Sequence, residues 1–241
     1  MTVAAGRSTI PLRRPRLQPA EPGRADGWTG ERWREGLRVW TSEVVACKRL
    51  IAVSMACIAI GLGFDYACGM YVHTMTGVKV PDLILDLFPP IDVSFLFIYG
   101  YVSLIAGMFL YPIIFRMRMI HVVAFQFSLL LVIRSLFMIF THLETPAGAV
   151  SVSYPWFFRS LYFENDMFFS GHTAMTFLGF YVFRRSWIRY VFLVGSIVMA
   201  IVVLAMHVHY SVDVFAAFFM TYGSYQMGNV LLRKLDPTYG E

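Results

Sequence analysis

The sequence predicts an all-α, polytopic membrane protein: six transmembrane helices in a bundle with both termini cytoplasmic. Three observations carry that prediction. Of 241 residues, 58% are hydrophobic and only 15% are charged, against roughly 25% charged in soluble domains. Six apolar runs follow one another between residues 50 and 232, most of them near the ~20 residues that span a hydrocarbon core. Basic residues gather in alternate connections, as the positive-inside rule requires of cytoplasmic loops.

The elements follow in order. Residues 1–30 are rich in Pro, Arg, Gly and Ala and read as a disordered basic tail. The tail lacks the apolar stretch of a cleaved signal peptide. Residues 31–48 place Trp33, Leu37, Trp40 and Val44 on one helical face, with Arg32, Arg34 and Arg38 elsewhere on the wheel. This pattern predicts an amphipathic helix lying on the membrane surface. The first 49 residues hold ten Lys and Arg against five Asp and Glu, leaving ten of each sign in the remainder. The basic excess therefore belongs to the tail and suits an anionic membrane surface, not nucleic acid.

Residues 49–235 form the six-helix domain. The apolar runs are Leu50–Tyr71, Val93–Phe115, Ile120–Phe140, Met167–Phe183, Trp187–Met206 and His209–Leu232. Lipid offers no partner to stray backbone groups, so runs of this length are helical. Period-two alternation is absent, which excludes a β-barrel. Cys47, Cys57 and Cys68 sit in or beside the first run and read as small apolar packing residues, not as a disulfide framework. Arg116, Arg118, Arg184, Arg185, Arg189, Arg233 and Lys234 fall on the side of the tail, while only Lys79 and Arg159 fall on the other. The far side receives the 72–92 and 141–166 loops and the short turn before His209.

Ionisable groups converge on that far side. His172, in "FFSGHTAMTFLGF", enters the fourth run one turn from its mouth. His209, in "MHVHYSVDVFAAFF", opens the sixth, and Asp213 follows four residues on, one turn deeper on the same face. Arg134 lies six residues before the outer end of the third run, roughly 9 Å deep at 1.5 Å per residue. Polar and ionisable side chains within a bilayer are costly and mark function. A histidine with a carboxylate on its second ring nitrogen is held in one tautomer and made more basic, as a nucleophile toward phosphorus needs. A second histidine can donate a proton to the leaving oxygen. A guanidinium offers forked donors to phosphate oxygens, and the hydroxyls of Ser170 and Thr173 lie beside free helix N-terminal amides that favour an anion. His207 points away from His209 and reads as an interface residue, and Asp65 reads as a satisfied polar contact.

Two of these stretches resemble a known family. "FFSGHT" and "HYSVDVFAAFF" are similar to the second and third signature motifs of the type 2 phosphatidic acid phosphatase (PAP2) superfamily, and most closely to its sphingomyelin synthase branch, where the third motif is also His-Tyr-(Ser/Thr)-X-Asp. "IRSLFMIFTHLETP" resembles that branch's arginine motif, and "VPDLILDLFPP" its Pro-Asp-rich motif after the first helix. The resemblance covers about residues 50–232. It implies His209 as nucleophile, Asp213 as its orienting partner, His172 as the group handling the leaving-group or acceptor proton, and Arg134 on the phosphate. It adds Gly171, Tyr210 and Asp166 to the phosphate- and substrate-binding set. The chain departs from the superfamily's phosphatases, whose signature begins Lys-X6-Arg-Pro: here Phe127 and Ser135 occupy the first and last positions. It departs also from the Cys-Gly-Asp that precedes "SGHT" in the sphingomyelin synthases, reading Glu164-Asn165-Asp166.

The expected function is a membrane lipid phosphotransferase. A phospholipid donates its phospho-head group to His209, and a lipid alcohol such as ceramide or diacylglycerol accepts it. A lipid phosphate phosphatase, with water as acceptor, uses the same groups and is the alternative. A transporter is disfavoured because no internal repeat and no paired broken helices occur, and a scaffold because the His–His–Asp set is complete. No Walker-type loop or dinucleotide fingerprint occurs, so no nucleotide cofactor is expected. His207 and His209, two apart, chelate poorly on a helix, and no metal is expected.

Overall fold

The computed structural model describes residues 30–153 and 167–235. The tail and Asp166 lie outside the described residues, as does the side chain of Trp33. The described residues form α1 (Gly30–His73), α2 (Tyr101–Phe115), α3 (Ile120–Phe140), α4 (Gly171–Val182), α5 (Arg189–Ala205) and α6 (Ser211–Leu235). A π-helical turn over Leu96–Gly100 leads into α2, and short 3₁₀ turns occur at Leu85–Leu87 and Met117–Met119. No strand occurs among the described residues; Val78 and Leu143 form an isolated parallel bridge.

The chain divides into two compact units, up to Val39 and from Trp40 onward. The described part of the first is helical and exposes Leu37 and Val39. α1 is one continuous helix where the sequence suggested a surface helix followed by a separate span. No proline falls between residues 30 and 73, so nothing forces a break. In the second unit Trp40 donates its indole N–H to the Ile113 carbonyl at 2.8 Å. Further along α1, Ser128 of α3 donates its hydroxyl to the Cys57 carbonyl.

The centre of the second unit is built from α3, α4, α5 and α6. Leu130, Met175, Leu178, Phe183, Phe192 and Ala217 belong to one buried cluster. α4 lies tightly against α5 because Gly179 leaves room for the Phe192 ring; a Cβ there would collide with it. α4 is shorter than the apolar run containing it. Phe168 and Phe169 take positive φ values of 76° and 22°, so the helix begins only after Ser170.

Among the described residues, three helical stretches are long and apolar enough to cross a membrane, Arg34–His73, Leu96–Phe115 and Met117–Phe140; α5 is a shorter apolar helix. The outward faces are apolar beyond these three. α5 exposes Val194, Ile197 and Ile201, and α6 exposes Val212, Phe215, Phe219 and Val230. On its other face α6 buries Asp213, Thr221, Ser224 and Asn229. Apolar outside and polar inside reverses the arrangement of a water-soluble helix and suits hydrocarbon as the surrounding solvent.

Candidate active site

The start of α4 is built under strain. Non-glycine residues at positive φ cost of order 1–3 kcal/mol and persist where surrounding structure fixes them. Here Phe168 stacks on Phe137 at 5.3 Å, and Phe169 is fully buried. Ser170 then caps the helix, its hydroxyl accepting the Thr173 N–H at 3.4 Å, a normal use of serine at this position. The Thr173 hydroxyl donates to the same oxygen at 3.3 Å. The Ser170 N–H donates to the Asp213 carbonyl at 3.0 Å, which joins the start of α4 to the first turn of α6.

His172 follows in the first turn of α4. Its ring packs on Phe97 and Tyr101, with centroids 4.3 and 4.4 Å away. Both aromatics come from the π-helical turn and the residue after it. π turns are rare and occur frequently at functional sites. The His172 and His209 ring centroids are 6.4 Å apart.

His209 reaches this position through a tight reversal. At the end of α5 the His207 N–H donates to the Leu204 carbonyl and the Val208 N–H to the Val203 carbonyl, at 3.0 and 3.1 Å. These are the paired bonds of a Schellman motif, whose left-handed residue is usually glycine. Here it is His207, at φ 55°. The expectation that His209 opens α6 is corrected: it lies in the turn, and α6 begins at Ser211. The left-handed residue ends α5 and the chain needs three further residues to enter α6. The His–Asp pairing holds nonetheless. His209 Nδ1 lies 3.3 Å from Asp213 Oδ2, and the Tyr210 N–H donates to the same oxygen at 3.2 Å. Asp213 is wholly buried, and its Oδ1 has no hydrogen-bond partner among the described residues. With Nδ1–H donated to the carboxylate, Nε2 carries the ring's lone pair.

Arg134 sits against the mouth of α4. A Cβ on Gly171 would lie 2.7 Å from Arg134 Nε, so glycine is what lets the guanidinium approach. Asp65 of α1 lies 3.3 Å from Arg134 Nη1 and accepts the Ser135 hydroxyl at 2.7 Å. Ser135, standing where the superfamily's phosphatases carry proline, thus helps to fix the acid that holds the arginine. Tyr210 is buried, with its hydroxyl donating to the Glu144 carbonyl at 3.0 Å and accepting the Val80 N–H at 3.3 Å. The structure therefore brings together His172, His209, Asp213, Arg134, Ser170, Gly171 and Thr173, whereas the Tyr210 side chain, expected among the substrate-binding residues, packs with Leu85 and Met167 and spends its hydroxyl on the loops. His207 is buried outside this group, edge-on to Phe88 at 5.3 Å.

Sequence reasoning missed Phe97, Tyr101 and Asp82. The two aromatics carry no motif, since an apolar run gives no sign that one of its turns widens. Asp82 had a signal in its Pro-Asp pair. Its carboxylate accepts the Ser211 N–H at 2.6 Å and, through the other oxygen, the Ile84 and Leu85 N–H groups at 2.9 and 3.2 Å. Burial pushes this carboxyl up, but the backbone donors, Ser211 foremost, outweigh it and hold it below the usual carboxylate range.

Two histidines, one oriented by a carboxylate, beside an arginine and a helix N-terminus can bind a phosphate ester and divide nucleophile and proton-transfer roles. Among the described residues no three His, Cys, Asp or Glu converge as metal ligands. Residues 165–229 match the family model described as PAP2 superfamily C-terminal. The matched stretch contains Ser170 to Thr173, His209 and Asp213, and begins after Arg134. It supports PAP2 superfamily chemistry of the phosphatase or phosphotransferase type in a membrane protein. No curated protein matches the chain.

Proposed function

We propose that this chain is an integral-membrane lipid phosphotransferase that moves a phospho-head group from a glycerophospholipid to a lipid alcohol, ceramide or diacylglycerol, through a phosphohistidine on His209. The observation that carries this reading is the His209–Asp213 pair, at 3.3 Å, facing His172 across 6.4 Å between ring centroids. In the first half-reaction His209 Nε2 attacks phosphorus. The bond from phosphorus to the glycerol oxygen breaks, and His172 gives its proton to that oxygen, releasing diacylglycerol. In the second, the acceptor hydroxyl attacks phosphorus and passes its proton to His172 as the P–N bond breaks. Asp213 balances the positive charge on the His209 ring, and Arg134 takes the phosphate oxygens. Metal ions and cofactors have no part in this scheme.

The same reading places six helices across the bilayer with both termini cytoplasmic and the site on the exoplasmic, periplasmic or lumenal side. The basic loops support that orientation. The apolar outward face of α6 supports its place in lipid despite its polar content. The basic residues near the start of α1 then meet an anionic cytoplasmic surface.

Purified protein in detergent, given labelled phosphatidylcholine, phosphatidylethanolamine and phosphatidate with ceramide and diacylglycerol, tests the proposal. Transfer of label to a lipid alcohol is expected. Release of label only to water would replace the transferase by a lipid phosphatase. Absence of both, with all donors, would overturn the reading.

A further inference from the structure

The loop between α1 and α2 carries a buried acid that the catalytic scheme does not use. Asp82 is 8% exposed, and both of its oxygens are engaged. One closes its own turn through Ile84 and Leu85. The other reaches across 129 positions in sequence to the N–H of Ser211, the first residue of α6. That N–H is one of the donors a helix start leaves unsatisfied, and a carboxylate there also meets the positive end of the helix dipole.

Around it the loops are laced to the same short segment. Tyr210, next to Ser211, binds Val80 and Glu144 through its hydroxyl. The Val78 N–H donates to the His142 carbonyl at 3.1 Å, and the Glu144 N–H to the Val78 carbonyl at 3.2 Å. The segment so held is His209–Tyr210–Ser211. It follows a left-handed residue and precedes a helix, so no regular structure of its own fixes the direction of the His209 ring.

We infer that Asp82 is a positioning residue for the nucleophile: by capping α6 at Ser211 it fixes the turn that presents His209 to His172. This rests on the phosphotransfer reading for its catalytic consequence but not for its structural one. Asp82 acts through Ser211 and has no contact with the reacting atoms in this scheme.

The test uses the full chain in detergent, with Asp82→Asn, Asp82→Ala and Asp82→Glu variants, and reads hydrogen exchange at the Ser211 amide beside lipid turnover. Losing a charge-assisted hydrogen bond predicts exchange at Ser211 faster by about 10–100-fold, with amides in α3 and α5 unchanged. It predicts kcat falling by a similar factor with KM within about twofold, since the substrate contacts stay. Asp82→Glu, which keeps the charge, is expected to recover part of both. Asp82→Asn keeps volume and one acceptor oxygen, so it reports even where Asp82→Ala fails to fold. Unchanged Ser211 protection in Asp82→Asn, or lost protection with unaltered kcat, overturns the inference. Ser211 protection that is present in the wild type and lost in Asp82→Asn, in a protein that turns over no phospholipid, would instead sink the phosphotransfer reading and leave the cap standing.

Discussion

Asp213→Asn separates the two tasks of a buried carboxylate. In the native site one oxygen of Asp213 serves both His209 Nδ1 and the Tyr210 N–H, while the other has no partner among the described residues. A wholly buried, half-satisfied anion is a cost to the fold, so the neutral amide is expected to leave Tm unchanged or raise it. Its effect on the reaction is opposite in sign. The hydrogen bond to a charged acceptor is worth about 1.5–3 kcal/mol, or roughly 10–150-fold in rate at ~1.36 kcal/mol per decade. An amide also permits the wrong tautomer and gives no support to a positively charged phosphoimidazole. The corresponding Asp→Asn change in a serine protease triad costs about 10⁴. The expected loss in kcat is therefore ~10²–10⁴-fold, with KM little changed. Head-group transfer under saturating donor measures the rate, rapid quench with labelled donor measures phosphohistidine, and thermal unfolding checks the fold. Full activity in Asp213→Asn would refute the assignment of His209 as nucleophile. So would acid-labile phosphate trapped on a His209→Ala protein.

Other expectations follow from the same geometry. His172→Ala is expected to slow release of a lipid alkoxide by about 10²–10⁴-fold and to be partly rescued by an activated aryl phosphate ester; equal losses for both substrates would remove His172 from the leaving-group step. In Gly171→Ala the new Cβ meets Arg134 Nε at 2.7 Å, so the guanidinium must shift and turnover is expected to fall about 10–100-fold; unaltered turnover would show that Arg134 is not held to the phosphate through this contact. Asp82 has a carboxyl pKa lowered by the fold, so its contribution to stability is present above the usual ~4 and is lost as pH falls through the depressed folded value. Tm of the wild type is expected to drop over that acidic window more steeply than Tm of Asp82→Asn, and parallel curves would contradict the linkage. Cysteines placed at positions 150 and 186 are expected to label from opposite sides of a sealed membrane; labelling from one side would refute the six-span topology.

The polar constellation was legible because chemistry and spacing speak together. A four-residue step from His209 to Asp213 brings two side chains together even though the first lies in a turn and only the second in α6. Arg134 was legible from depth alone: six residues before the end of α3 bring it level with the mouth of α4. The edges of elements were not legible. Phe168, Phe169 and His207 are not residues that announce a left-handed backbone, and an apolar run of normal composition conceals where its helix begins or stops. Asp82 illustrates a different limit. Its partner is 129 positions away, so its motif is visible in the sequence while its task is not.

Among the described residues the non-glycine positions with positive φ are Phe168, Phe169 and His207, and each precedes one of the two candidate histidines, His172 and His209, by two to four positions. That distribution bears on how the site is built. A histidine in mid-helix would have its direction set by the helix, whose neighbours are all lipid or core. A histidine just after a left-handed turn can be aimed independently, but the turn must be held by contacts elsewhere. Phe168 is held by Phe137, Phe169 by complete burial, and His207 by the Schellman bonds and the Phe88 edge. The Ser170 N–H to Asp213 carbonyl bond then ties the start of α4 to the first turn of α6. Strain at two helix mouths, joined by one backbone bond, fixes the spacing of the two imidazoles more firmly than either helix could alone. The proposed reaction, in which one histidine carries the phosphoryl group while the other exchanges a proton with the lipid oxygen, requires that spacing to persist through both half-reactions.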